Sequence, residues 1–186
     1  TLSSEEHGPN TLVDNAVRAE QHGFGFVSLS DHYHPWIGEQ GHSPFAWAVL
    51  GGIAARTTTI GVGVGVTCPI MRIHPAVVAH AAATTAVMFE GRFFLGVGTG
   101  EALNEHITGE RWPPPGIRRD MLDEAVTVMR HLWTGETVDH HGTHFTVENA
   151  RLFDVPDELV PVIVSGFGDE AISLAGRIGD GYWGHS

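Results

Sequence analysis

Apolar positions along this chain follow two alternating rhythms, one of helices and one of short strands. From Pro9 to Gly23, Leu12, Val13, Ala16, Val17 and Ala19 form a helical stripe, and Gly23 is a natural stop. Phe24 to Leu29 is a continuous apolar run that predicts a buried strand. Pro44 to Arg56 predicts a helix with Ser43 as its N-cap. Thr59 to Val66 predicts a strand, thinned by Gly61, Gly63 and Gly65. Pro75 to Glu90 is an alanine-rich helix with proline in its first turn, and Arg92 to Val97 is the next strand. Gly98 to Gly116 reads as a long loop around Pro113-Pro114-Pro115; loops of that length inside a domain are usually functional. Ile117 to Thr134 is amphipathic on Met121, Leu122, Ala125, Val126, Val128, Met129 and Leu132. Val138 to Val147 resembles a hairpin around His141-Gly142. Val160 to Val164 is a strand, Asp169 to Arg177 a helix, and Gly179 to Trp183 begins one more strand.

Strands alternating with helices predict an α/β protein with a parallel sheet and crossover helices. The pattern holds five to six β/α steps and no internal repeat. A (β/α)8 TIM barrel typically needs ~250 residues, and the chain starts and stops inside elements, so residues 1–186 are expected to be one domain, an incomplete N-terminal portion of a barrel. A complete doubly wound sheet is the alternative. The barrel is preferred because polar clusters recur at almost every strand end, where barrel active sites lie.

Two of those clusters carry chemistry. Ser30-Asp31-His32-Tyr33-His34-Pro35-Trp36 follows the first strand, and Gly96-Val97-Gly98-Thr99-Gly100-Glu101-Ala102-Leu103-Asn104-Glu105 closes the third. Glycines such as Gly100 let a backbone approach a planar or anionic ligand. They do not spell a dinucleotide fingerprint, because no third glycine falls at position 101. Gly166-Phe167-Gly168, ahead of a helix, offers free amides and a favourable dipole to a phosphate; its plain alternative is an ordinary strand–helix turn. His140, His141 and His144 with Asp139 form a possible metal set, but one spread over a hairpin turn, so solvated side chains are expected and no metal.

Charge narrows the partners. Twenty-two acids face ten basic residues, all of them arginine, for a net charge of -12. That argues against a nucleic-acid binder, which needs a cationic face. It fits an acidic soluble enzyme or adaptation to high salt. No apolar stretch reaches the ~20 residues a bilayer span requires, and the first residues lack the regions of a signal peptide. Cys68 is the single cysteine, so no internal disulfide forms and a cytoplasmic location is the default.

Five ordered blocks carry a resemblance. They are the 30–36 cluster, Gly41-His42-Ser43-Pro44-Phe45, Arg72-Ile73-His74-Pro75-Ala76, the 96–105 segment, and Ala175-Gly176-Arg177-Ile178-Gly179-Asp180-Gly181. Together they resemble the luciferase-like flavin and deazaflavin oxidoreductases, and within them the group of coenzyme F420-dependent glucose-6-phosphate dehydrogenases. The resemblance implies a barrel close to twice this length, usually a homodimer, acting on a small-molecule substrate. It assigns Asp31 to the deazaflavin ring, His32 and Glu101 to proton transfer, and Trp36 to the wall beside ring and substrate. Glu5 matches a carboxylate beside the substrate pocket and Asn104 a polar cofactor ligand. Gly65 and Val66 match a strand end that often carries a non-proline cis peptide behind the ring. Ser165, Gly166, Phe167 and Gly168 match the turn that holds the cofactor's phosphate tail. Cys68 departs from the pattern, standing where the glucose-6-phosphate enzyme has a cofactor-contacting threonine; the neighbouring Thr67 is the candidate substitute.

The implied reaction is hydride transfer between an alcohol or sugar phosphate and F420. His32 would take the hydroxyl proton, and Glu101 would act as acid if burial raises its pKa. Plain alternatives stand beside these roles: His32 bonded to backbone, Trp36 in core packing, Glu101 capping a helix, Cys68 a small packed residue. An FMN-dependent monooxygenase on the same scaffold is the competing enzyme. A non-catalytic barrel fragment acting in a complex is the alternative of another class.

Overall fold

A computed structural model of the protein describes residues 1–184. The elements are α1 (Pro9–Gln21), β1 (Phe26–Leu29), α2 (Ala46–Ala54), β2 (Gly61–Thr67), α3 (Pro75–Phe89), β3 (Phe93–Val97), α4 (Ala102–Glu105), α5 (Pro115–Leu132), β4 (Val138–His141), β5 (Thr146–Ala150), β6 (Val162–Ser165), α6 (Asp169–Ile178) and β7 (Gly181–Trp183). The main sheet is β1-β2-β3-β6-β7, every pairing parallel. Leu2 bridges Leu29 in the same sense on the outer side of β1. Strand order follows chain order without reversal. A doubly wound sheet reverses at a switch point, whereas a barrel sheet does not, so the topology is of the barrel type.

Strand side chains alternate between faces. Val27, Leu29, Val62, Val64, Leu95, Val97, Val162 and Val164 are buried, on the face covered by helices. Those helices bring Leu12 and Ala16 from α1, Leu50 and Ile53 from α2, Val78 and Ala82 from α3, and Leu122 and Met129 from α5. Burying each large aliphatic side chain is worth about 1.5–3 kcal/mol. The alanine run in α3 allows close approach of α5, and Trp133 Nε1 donates to the Ala79 carbonyl at 2.9 Å. On the other face the aromatic rings of Phe26, Phe94 and Trp183 form a row, with centroids 6.0 and 6.3 Å apart. The Phe94 ring lies directly over Gly63, where a β-carbon would overlap it.

Several expectations are revised. The stretch 98–116 is not a plain loop. It contains α4 and a 3-10 turn at His106–Thr108, both too short for a periodicity to reveal. Helix α2 starts two residues later than expected and is capped by the Phe45 backbone, because the Ser43 hydroxyl donates instead to the His32 carbonyl at 2.7 Å. β1 begins at Phe26, beyond Gly25. The hairpin is β4–β5, and Glu124 of α5 straps it down by accepting the N–H groups of Thr143, His144 and Phe145 and meeting His140 Nε2 at 3.1 Å. No cluster of three or more His, Cys, Asp or Glu suited to a metal occurs among the described residues, and no described helix is long and apolar enough to cross a membrane.

Candidate active site

Parallel strands place their carboxyl-terminal ends together, so the segments after β1, β2, β3 and β6 meet. Between them lies a cavity of about 350 Å³. Asp31 and His32 enter from the first segment, and Val66, Thr67 and Cys68 from the second. Gly100, Glu101 and Asn104 enter from the third, and Ser165, Gly166 and Phe167 from the fourth. The floor is close-fitted backbone. The Gly65–Val66 peptide is cis, and the β2–β3 register shifts between Val64 and Thr67. There the Val64 carbonyl leans across β3, where a β-carbon on Gly96 would overlap it. Gly100 sits at φ +67° with its α-carbon pressed toward Cys68 and Glu105, a conformation and a gap that favour glycine. These glycines accommodate the chain's own atoms, and Gly100 also lines the cavity.

His32 is held from behind by Glu5. Its Nδ1 lies 2.5 Å from Glu5 Oε1, and Ser3 and Ser30 hydroxyls donate to Oε2 at 3.0 and 3.1 Å. Burial pushes the Glu5 carboxyl up, but hydrogen bonds from His32, its own backbone and Ser30 outweigh it and bring the pKa down from 4.5 to about 2. A carboxylate only accepts, so Nδ1 carries a proton, and in the neutral ring the lone pair lies on Nε2. Because the folded-state pKa is depressed, Glu5 contributes stability above the unfolded value and loses it as pH falls. Wild type should exceed Glu5→Gln by on the order of 3 kcal/mol at pH 6. That margin should close between pH 4.5 and about 2. Urea unfolding of both proteins across that window measures it; parallel pH curves would contradict the assignment.

Asp31 and Asn104 are both buried. Thr67 donates to Asp31 Oδ2 at 2.5 Å, so Thr67 does face the site, though toward Asp31. Asp31 Oδ1 has a charged neighbour in Arg72 but no hydrogen bond. Asn104 Oδ1 accepts the N–H groups of Tyr33 and His34 at 2.9 and 3.0 Å, fixing the loop after β1, while its Nδ2 has no partner. Both residues line the cavity, and these two atoms are buried.

Other expected residues lie differently. Trp36 is 52% exposed and packs edge-to-face on His32, centroids 5.0 Å apart, outside the cavity lining. Glu101 lines the cavity but is exposed, so it lacks the burial that its acid role requires. It occupies the N-cap position of α4 without a side-chain capping bond. The buried acid of this segment is Glu105, whose pKa burial raises. Cys68 is buried, and burial and the Glu105 charge hold its thiol well above the usual range, so it is not an activated nucleophile. Gly168 is the N-cap of α6 at φ +82°, next to the lining rather than in it. Arg118 escaped the sequence reading. Its guanidinium stacks 4.5 Å from the Trp112 ring, lines the cavity, and leaves a buried Nε unpartnered. Its signal was a pair of arginines opening a helix in a lysine-free, acidic chain.

Barrel-ordered parallel strands with an oriented histidine, buried polar atoms and glycine turns at one end define a TIM-barrel-type enzyme scaffold. The chain belongs to the luciferase-like monooxygenase family, whose family model matches residues 1–186. It is 47% identical over 180 residues to the F420-dependent glucose-6-phosphate dehydrogenase of Microbacterium testaceum, covering 97% of this chain and 54% of that protein. A solved F420-dependent secondary alcohol dehydrogenase, in complex with an F420-acetone adduct, superposes with a TM-score of 0.95 at 42% identity, over 98% of this chain and 56% of that one. The F420-dependent tetrahydromethanopterin reductase of Methanopyrus kandleri shares the fold, with a TM-score of 0.83 at 23% identity, over 98% of this chain and 54% of that one. The chain spans about half the length of the relatives it matches.

Proposed function

We propose that the protein is a coenzyme F420-dependent dehydrogenase that moves a hydride between the carbinol carbon of an alcohol or sugar phosphate and the deazaflavin. The Glu5–His32 pair at the cavity wall carries this proposal: a buried carboxylate 2.5 Å behind an imidazole that lines the same cavity as Asp31 and Asn104. Those residues fit the cofactor by their chemistry: a carboxylate suits a ring N–H and an amide a ring carbonyl, the two functions a pyrimidinedione presents side by side. When bound, F420 supplies two-electron hydride chemistry. His32 receives the substrate's hydroxyl proton on Nε2 as the carbinol hydride departs, and Glu5 steadies the imidazolium that results. Glu101, exposed at the lip, connects the cavity's protons to solvent. Ser165 to Gly168 lead into the first turn of α6, whose free amides suit the phosphate tail. Support for F420 over FMN comes from the F420-dependent relatives at 42–47% identity. The homodimer usual for such enzymes and a cytoplasmic site of action belong to the same proposal.

The experiment is a fluorescence titration of the protein with F420 and with FMN, followed by F420 reduction with secondary alcohols and with glucose 6-phosphate. F420 is expected to bind and to be reduced by one of the two donor classes. Binding of FMN with no affinity for F420 would move the protein to the monooxygenase side of the family. Binding of neither would favour a non-catalytic subunit.

A further inference from the structure

Arg72 lies between β2 and α3, and the chemistry above makes no use of it. Its side chain is only 6% exposed, and it meets two carboxylates that are themselves buried. Nη2 lies 3.1 Å from Asp31 Oδ1 and donates to the Asp31 main-chain carbonyl at 3.2 Å. Nε reaches Glu105 Oε1 at 3.4 Å, and the Arg72 main-chain N–H donates to Glu105 Oε2 at 2.9 Å. From its own place after β2, one side chain joins the segment after β1 to the helix after β3.

The two segments it joins carry two residues that line the cavity, Asp31 and Asn104, the residue before Glu105. Asp31 Oδ1 is ion-paired with Arg72 without a hydrogen bond, and Asn104 Nδ2 has no partner. Dehydrating a guanidinium costs several kcal/mol, and apolar packing holds loops together at least as well. What a guanidinium adds is geometry: a planar fork that engages two carboxylates at once, which a lysine ammonium does not reproduce. Its approach to Asp31 Oδ1 at 3.1 Å holds that carboxylate against the segment after β2.

We propose that Arg72 is the positioning residue of the cofactor-ring contact, holding the segments that carry Asp31 and Asn104 in place relative to each other. This rests on the ring-binding role proposed above for those two residues.

A double-mutant cycle on F420 affinity tests it, using Arg72→Met, Asp31→Asn and the combination, each titrated by F420 fluorescence. Arg72→Met should weaken binding by about 10–100-fold, the scale on which supporting partners of ligating groups act. In the Asp31→Asn background the same change should cost about threefold or less, because the effect passes through Asp31. Arg72→Lys should fall between wild type and Arg72→Met. A merely structural role would lower the unfolding temperature while weakening binding by equal factors in both backgrounds. Equal factors, or unchanged affinity in Arg72→Met, overturn the proposal. If Arg72→Met does not fold, Arg72→Lys completes the cycle under the same criterion. A wild type that fails to bind F420 removes the proposed function and the role of Arg72 with it. A wild type that binds F420 but gives an additive cycle removes only the role of Arg72.

Discussion

His32→Ala should lower turnover by roughly 10²–10⁴-fold, the usual worth of a positioned base, while F420 affinity changes by about threefold or less. The separation follows from the site's division of labour. The residues assigned to the ring are Asp31 and Asn104, and the side-chain bonds that hold them do not involve the imidazole. Thr67 and Arg72 hold Asp31, while Asn104 grips the Tyr33 and His34 amides. Removing the imidazole also leaves Glu5 with its serine hydroxyls, so the buried carboxylate keeps partners and the strand end should stay in place. Steady-state kinetics at saturating F420, paired with fluorescence titration, separate the two quantities. A loss of affinity as large as the loss of rate would return His32 to a structural role.

Gly96→Ala should destabilise the protein by roughly 3 kcal/mol and weaken cofactor binding as well. The added carbon would overlap the Val64 carbonyl oxygen and come within 3.1 Å of Val66 Cγ1. Backbone cannot swing aside as a side chain does. Relief must therefore displace the end of β2, and with it Thr67, whose hydroxyl holds Asp31. Gly176→Ala is the contrasting change. That glycine is exposed inside α6, with no atom within 4 Å of an added carbon, so alanine should stabilise by about 0.5–1 kcal/mol. Urea unfolding of both variants measures the pair. A neutral Gly96→Ala would mean that β2 and β3 can separate at no cost, contrary to their packing.

The order of strands and helices was readable because each depends on neighbours in sequence. The stripe Leu12, Val13, Ala16 and the run Val62, Val64 declare their faces within a few residues, and both are buried as that pattern demands. The site was readable as a gathering of strand ends, and Asp31, His32 and Asn104 line one cavity there. What escaped is set by distant partners. Glu101 and Glu105 look alike in the chain, yet only Glu105 is buried, because Arg72 reaches it from more than thirty positions away. Ser43 has the composition of an N-cap, but the His32 carbonyl claims its hydroxyl. Helix α4 has four residues, fewer than any periodicity needs. Arg72 stood within a matched block with no role, since nothing local marks an arginine that binds two acids.

The crowding at Gly96 and Gly100 has an engineering corollary. Beneath the cavity there is no room to install a new functional group, so the base of the pocket is closed to redesign. Mutational freedom lies at the rim, where Trp36, Glu101 and Phe167 are exposed. A library aimed at the donor range of the proposed dehydrogenase belongs on those three positions.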